Sequence, residues 1–534
     1  MAKRQLKKVL MLTREYSGLA GAGGVKDVSR QLAEALVRKG KQVSVVMPLY
    51  GFLDPEALGF KPLDLSLLIN MHYVGRERQE SVRLWSAEKC GVVIYLIDAE
   101  RYREKKSIYT YTAEEAAGNP LHRQGMAHYD YFAMNVLLQK AAIAMMIRLG
   151  EKPDMIHCHD GHTALVPAMI REIEGYRHYF HETGCLVTIH NAGWGYHQEI
   201  ADLAFAETIT GLPSKVILGN LLDGHFNPFL AASAYGVLNT VSENYARELQ
   251  ETGDDRLTGW LGHRLIDRKV VLAGVTNGIN PADYDPMQPA AMGIEAAFSP
   301  ADGKYAGKAR CRAILIKDLQ AGDLPGIDQT GSLDSHPKQP LFTFIGRFTA
   351  QKGVDKLVGS LETLLPMDKK FQALVLGTGE PKIEEELIAL TTDSRYRGRV
   401  CLLRGFDPVL ANRIYAAGDF FLVPSQYEPC GLTDYIAQLF GNLPIVHAIG
   451  GLVKVVDGVT GLAYREHNSA ALMGTMLKAI HLFRSDKDKM LEMRRAAVNE
   501  INRHYTWDNV VNRYLKLYHR AMEMAAAEEM QPEV

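Results

Sequence analysis

Leu341–Asp355 reads LFTFIGRFTAQKGVD, and Phe421–Gln438 reads FLVPSQYEPCGLTDYIAQ. In the first stretch a β-branched and aromatic run ends at Ile345, Arg347 lies just past it, and Lys352 stands five residues on, where a helical pattern begins. In the second, an apolar run gives way to a loop carrying Glu428, and Gly431, Leu432 and Thr433 open the next helical pattern. A strand feeding a helix through a short glycine-bearing loop is the repeating unit of a parallel sheet covered on both faces by helices.

The same alternation extends in both directions. Strands are predicted near Lys8–Thr13, Gln42–Met47, Gly91–Ile97, Met155–His159, Leu186–His190, Gly236–Thr240 and Val270–Thr276 in the first half. A second series follows at Leu341–Ile345, Ala373–Leu376, Val400–Arg404, Phe420–Val423 and Leu443–Val446. The expectation is an α/β chain with two doubly wound, Rossmann-like domains facing each other across a cleft, with ligands bound at the carboxyl ends of the strands. The domains are placed at 1–285 and 341–504. Between them 286–340 carries glycine and proline punctuation (PMQP, FSPADG, DLPGIDQTGS, SHPKQP) and reads as a linker or insertion, although Lys304–Leu319 has helical composition. Ala470–Leu482 and Trp507–Ala527 read as amphipathic helices.

Bulk properties narrow the function classes. At 534 residues the chain exceeds one core, since domains run to roughly 100–200 residues. Hydrophobic residues at 47% and charged residues at 23% exclude a disordered or fibrous chain. A net charge of −2 gives no pull toward nucleic acid or an anionic membrane, so any anion must be bound locally. The apolar run after MAKRQLKK is too short for a signal peptide, and no uninterrupted apolar stretch approaches the roughly 18 residues of a membrane span. Six cysteines, scattered without CxxC spacing, point to a reducing, cytoplasmic compartment.

The motifs then suggest chemistry. Arg347 and Lys352 at a strand terminus suit a diphosphate and the charge that grows on it as a leaving group. The amides of Gly431, Leu432 and Thr433, next to Cys430, suit its distal phosphate, and Glu428 is placed for sugar hydroxyls or for positive charge at an anomeric carbon. Tyr427 and the turn around Gly377 and Gly379 are candidates for holding base and ribose. After the first strand, Gly18, Gly21, Gly23 and Gly24 precede a helical pattern, and amides there approach a phosphate or sugar. HCHDGH (157–162) and TIHNAGWGYHQ (188–198) both follow strands; neutral imidazole and Asn side chains suit hydroxyls, and the lack of thiol or paired carboxylate partners at ligand spacing beyond Cys158 and Asp160 argues against a metal.

Taken together, GGVKDV, HCHDGH, TIHN, NTVSENYARE, GVTNGINPADYDP, GRFTAQKG, VLGTGE, FLVPSQYEPCGLTD and the Gly450-Gly451-Leu452 turn resemble the bacterial glycogen synthase and starch synthase family, in order and over nearly the whole chain. The resemblance implies a glycosyltransferase-B fold. A nucleotide sugar (ADP-glucose or UDP-glucose) would be held mainly by the C-terminal domain, an α-glucan by the N-terminal one, and helix 505–527 would return to the first domain. It implies that Arg347 and Lys352 bind the donor diphosphate, that Glu428 contacts the glucose, that His190 sits beside its hydroxyls, and that Asp160 and Asn277 line the cleft. Neither cofactor nor metal is expected. The family generally has Lys-x-Gly-Gly-Leu after the first strand; this chain has Gly21-Ala22-Gly23-Gly24-Val25, and Lys26 is the nearest substitute cation. Val446-His447-Ala448-Ile449 stands where the family is usually Arg-rich, and Ile436 replaces the second carboxylate of the Glu-x7-Glu transferases. The alternatives are a related transferase with a small sugar acceptor and a weakly active glucan-binding protein.

Overall fold

The computed structural model describes residues 5–322 and 324–529. They divide into two compact units: the chain up to Gly278 together with the helix from Trp507, and Ile279–Thr506.

The first unit is built on a nine-stranded sheet of β1 (Lys8–Leu12), β2 (Gln42–Pro48), β3 (Lys61–Asn70), β4 (Gln79–Lys89), β5 (Val92–Asp98), β6 (Met155–His159), β7 (Gly184–Ile189), β10 (Val237–Thr240) and β11 (Ala273–Gly274). The spatial order is β11-β10-β7-β6-β1-β2-β5-β4-β3, and a separate ribbon pairs β8 (Leu221–Leu222) with β9 (His225–Phe226). The central strands are parallel and largely buried; Val9 of β1 pairs with Val43 on one side and Met155 on the other. Because the connections run outward from β1 in one direction and from β6 in the other, a crevice opens at the carboxyl ends of these two neighbours.

The pair β3 and β4 was not anticipated. Both are antiparallel additions at the sheet edge, β4 to β5 and β3 to β4. One face of each is solvated, so exposed and buried positions alternate along Ser66–Asn70 and Ser81–Leu84, without the continuous burial of a central strand. The expected strand Val270–Thr276 contracts to Ala273–Gly274.

The nineteen-residue helix Tyr131–Leu149 is long and apolar enough to cross a membrane, but nearly every turn of it is buried within the unit, which accounts for its apolarity. Its Lys140 ammonium donates to the carbonyls of Asn70 and Ile209 at 2.8 and 2.6 Å, and burial lowers its pKa to about 8. The helix Trp507–Glu529 presents Trp507, Val510, Val511, Tyr514, Tyr518, Ala521 and Met522 as one stripe into the core of this first unit. Gly184 admits it: a Cβ there would lie 2.8 Å from the Met522 nitrogen.

The second unit carries a seven-stranded sheet of β12 (Asp328–Gly331), β13 (Leu341–Ile345), β14 (Gln372–Gly377), β15 (Val400–Arg404), β16 (Phe420–Val423), β17 (Leu443–His447) and β18 (Leu462–Tyr464). The order is β12-β15-β14-β13-β16-β17-β18, parallel except for β12. Here the switch point lies between β13 and β16.

The expected linker 286–340 is corrected by this architecture. The helix Ala306–Ala321 buries Cys311, Leu315, Ile316 and Leu319, and β12 pairs with β15, so the segment is part of the second unit. Its Gly and Pro residues mark turns between short elements that have their own core partners, and that packing is not visible in composition. The chain passes between the units at Gly278/Ile279 and at Thr506/Trp507.

Candidate active site

In the second unit the loops after β13 and β16 lie against each other. Gly353 makes this approach: its φ is +68°, and a Cβ would sit 1.9 Å from the Pro424 carbonyl oxygen. The Gln426 amide donates to the Gln351 carbonyl at 2.8 Å, and Gln351 Nε2 donates to the Tyr427 carbonyl at 3.1 Å. With the loops locked together, Lys352 Nζ meets Glu428 Oε2 at 2.6 Å, and Ser425 Oγ donates to the same oxygen at 2.9 Å. Burial would raise the Glu428 carboxyl, but the charge and hydrogen bond of Lys352 hold it below its ordinary value. Arg347 is exposed at the strand end, with Nη2 3.4 Å from Gln351 Oε1.

Gly377 and Gly379 belong to the next loop, which is pinned to the first. The Phe348 amide donates to Thr378 and the Glu380 amide to Phe348, both at 2.8 Å. A Cβ at Gly377 would lie 1.8 Å from the Gly346 carbonyl oxygen, so both glycines serve close backbone contact. Cys430 and Gly431 lead into the helix Thr433–Leu439, with Leu432 as its N-cap residue. Gly450 and Gly451 brace this loop from behind: the Gly451 amide donates to the Glu428 carbonyl at 2.9 Å, and a Cβ at Gly450 would collide with that carbonyl at 2.0 Å.

Two residues that sequence reasoning passed over complete the loop. Lys454 Nζ donates to the carbonyls of Cys430, Gly431 and Gly451 at 2.5, 3.0 and 3.1 Å, and it lies 3.0 Å from buried Asp434. Burial pushes the Asp434 carboxyl up against the pull of Lys454. The available signal was a charge three residues past the glycine pair and another in the first turn of the helix. His447 has a bracing position as well, its ring nitrogens 2.8 and 3.0 Å from the carbonyls of Ser425 and Arg465.

In the first unit the loops after β1, β6 and β7 converge. Asp160 adopts φ +59°, a strained value for a non-glycine residue, and its Oδ1 accepts the His190 amide at 2.7 Å. Burial pushes its carboxyl up to about 8, although the His190 and Asn191 amides pull the other way. His190 Nε2 lies 2.8 Å from His159 Nδ1, and burial lowers the His190 pKa to about 3, so its imidazole is neutral. His157 is a core histidine between Tyr518 Oη at 2.9 Å and Thr188 Oγ1 at 2.7 Å. Asn277 is buried near the end of this unit.

The glycine loop departs from the expected picture. The Ala22 and Gly23 amides donate to Glu15 Oε2 at 2.7 and 2.9 Å, while Tyr109 Oη donates to Glu15 Oε1 at 2.7 Å. Gly24 is the N-cap residue of the helix Val25–Arg38. A side chain at Gly21 would overlap the Lys26 stem, its Cβ 2.1 Å from Lys26 Cδ, so Lys26 fills the space that a residue-21 side chain would take. Arg14, buried beneath the loop, donates to Tyr50 Oη and Asn135 Oδ1 at 3.0 Å each. Neither Glu15 nor Arg14 stood out in the sequence, where they merely follow the apolar run of β1.

Residues 8–263 match the starch synthase catalytic domain family, and residues 328–498 match the group 1 glycosyl transferases. Glycogen synthase 1 of Geobacter metallireducens is 30% identical over 537 residues, covering 98% of this chain and 97% of the relative. Glycogen synthase of Geotalea uraniireducens is 31% identical over 540 residues, covering 96% and 99%. Among solved structures, the catalytic domain of starch synthase IV from Arabidopsis thaliana, bound to ADP and acarbose, superposes with a TM-score of 0.79 at 23% identity, covering 97% of this chain and all of that one. Sucrose-phosphate synthase from Thermosynechococcus elongatus gives 0.58 at 17%, covering 97% and 99%. The two parallel-sheet units thus have the glycosyltransferase-B fold, and the near-complete likeness to the bacterial enzymes shows that the chain belongs to the glycogen and starch synthase family of glucosyltransferases.

Proposed function

We propose that this enzyme transfers glucose from a nucleoside diphosphate glucose, ADP-glucose or UDP-glucose, to the non-reducing end of an α-1,4-glucan with retention of configuration. The observation that carries this reading is the Lys352–Glu428 contact of 2.6 Å at the switch point of the second unit, with Arg347 on the same loop. Arg347 and Lys352 would meet the donor diphosphate and the charge that builds on it as the glycosidic bond to phosphate breaks. Glu428 would face the glucose. The Cys430–Thr433 turn would take the distal phosphate, while Tyr427 and the turn at Gly377 and Gly379 would lie by base and ribose. The reading calls on no metal, because cationic side chains take the electrostatic task.

The first unit would take the glucan, while neutral His190 would sit beside hydroxyls of the donor glucose, with Asn277 offering further hydrogen bonds and Asp160 holding the His190 backbone. Gly23 and Gly24 would border the donor, with Lys26 as the nearest cation. Retention follows if the acceptor hydroxyl attacks the face that the nucleotide leaves. The departing phosphate oxygen then accepts the acceptor proton, the new C–O bond forms as the old one breaks, and the protein contributes orientation and charge stabilisation. The six cysteines, all free thiols, support a cytoplasmic setting. That the starch synthase IV structure holds ADP and acarbose adds support for a nucleotide and a glucan-like ligand here.

A donor panel with glycogen as acceptor tests the proposal. Labelled glucose should enter glycogen from one or both donors, and Glu428→Ala should reduce the rate on the order of 10²-fold or more. Label appearing only in a soluble disaccharide, or no turnover with either donor, rejects it.

A further inference from the structure

A cavity of about 170 Å³ opens in the second unit, at the amino ends of its strands. Tyr305, Arg312, His336, Asp419, Phe483 and Arg494 form its walls. Asp419 immediately precedes β16 and accepts the Leu341 amide, the first of β13, at 3.0 Å. Five residues of strand separate Leu341 from the loop that carries Arg347, so the cavity lies roughly 15 Å from the donor-binding loops, at the other end of the sheet.

Its charges do not balance. Asp419 Oδ2 accepts from Arg312 Nη1 at 2.8 Å and Oδ1 from Arg494 Nη2 at 3.2 Å, so one carboxylate serves two guanidinium groups. Arg312 has other acceptors, including the Gln339 carbonyl at 2.8 Å. Arg494 does not: among the described residues its sole hydrogen bond is the one to Asp419, its Nε is buried without a partner, and the residue is only 8% exposed. The neighbouring Lys308 ammonium is already occupied by the carbonyls of Tyr415, Ala416 and Phe440 at 2.9, 3.2 and 2.9 Å. Arg494 is thus a buried guanidinium with a single hydrogen bond of 3.2 Å, and the cavity beside it has room for a further acceptor.

We propose that this cavity binds a phosphate-type oxyanion, paired to Arg494 and closed in by Tyr305, over whose ring the guanidinium lies at 4.9 Å. The volume suits such a group, since cavities on the order of 150 Å³ admit a six-membered ring. One added anionic charge offsets the excess of Arg312 and Arg494 over Asp419. The oxyanion arrives either as free phosphate or as the head of a small phosphate monoester. The site is independent of the donor assignment, because none of its residues belongs to the loops after β13 and β16.

Isothermal titration calorimetry on the full-length Lys352→Ala protein, which lacks the donor-loop cation, tests this with inorganic phosphate and glycerol 1-phosphate at constant ionic strength. We expect one saturable site, weakened at least 10-fold by a further Arg494→Gln substitution. His336→Asp, at an exposed rim position, should weaken it similarly by placing a carboxylate at the entrance, and it keeps the test alive if Arg494→Gln does not fold. Tighter binding of the monoester assigns the cavity to a phosphorylated metabolite, and equal binding assigns it to phosphate itself. No saturable site in Lys352→Ala, or unchanged affinity in a folded Arg494→Gln or His336→Asp protein, overturns the proposal.

Discussion

Lys352→Ala removes the cation nearest the Glu428 carboxylate. The contact is 2.6 Å, and the two side chains are 25% and 14% exposed, so solvent screens the pair only in part. At an effective dielectric of about 20, unit charges roughly 3 Å apart interact by about 5 kcal/mol, and partial exposure reduces that figure. What matters for rate is the share directed at the transition state, and removing one preorganised donor to developing charge costs about 3–4 kcal/mol, or 10²–10³-fold in kcat. Steady-state transfer to glycogen should therefore show kcat down by at least about 10²-fold with a smaller change in the donor KM. There is a second consequence. Without Lys352 the burial that raises the Glu428 carboxyl is opposed only by the Ser425 hydrogen bond and the more distant Lys454 charge, so the acid limb of the pH–rate profile should move to higher pH. Lys352→Ala and Glu428→Gln should also combine far less than additively, because each removes the other's partner. A folded Lys352→Ala enzyme with kcat within about 5-fold of wild type and an unmoved acid limb would refute this account.

Gly353→Ala places a Cβ 1.9 Å from the Pro424 oxygen at φ +68°; it should cost about 1–3 kcal/mol and separate the loops, lowering kcat, as differential scanning calorimetry and the same transfer assay would show. Lys26→Ala should raise the donor KM about 5-fold, the worth of roughly 1 kcal/mol for a half-exposed cation, and an unchanged KM ends its role as substitute for the loop lysine. The pH dependence of stability has a worked sign. Burial lowers His157 and His190 from 6.5 to about 3 and lowers His128, His159 and His162 as well, so below pH 6.5 the unfolded chain holds protons that the folded one lacks, and stability falls with falling pH by about 1.4 kcal/mol per unit for each such group. Asp160, raised from 3.8 to about 8, opposes this by about 1.4 kcal/mol per unit between those values, so above pH 6.5, where the histidines no longer contribute, it lowers stability as pH rises toward 8. Thermal unfolding followed across pH 4.5–8.5 should peak near pH 6.5, and Asp160→Asn should flatten the alkaline side; a monotonic profile contradicts the assignment.

The class of fold was legible in the residues alone, as were the strand-end loops that carry the candidate site residues. Strands such as β1, β6, β13 and β16 are short, largely apolar and almost wholly buried, so their limits were readable, and Asp160 and Arg347 just past β6 and β13 marked the loops. What the sequence could not display was anything decided by partners distant along the chain. The hairpin β3–β4 alternates because one face meets solvent, and the segment 286–340 became part of the second unit because β12 found β15 seventy residues away. Glycine patterns pointed to close approach without naming the neighbour: Gly353 answers to Pro424, Gly450 to the Glu428 carbonyl, and the amides of the first glycine loop to Glu15. The Lys352–Glu428 contact, the Lys454 brace and the under-bonded Arg494 likewise emerge only in three dimensions. Hydrophobic periodicity is a local property that each element carries with it, whereas the pairing of charges and the approach of backbones depend on where tertiary packing sets those elements down.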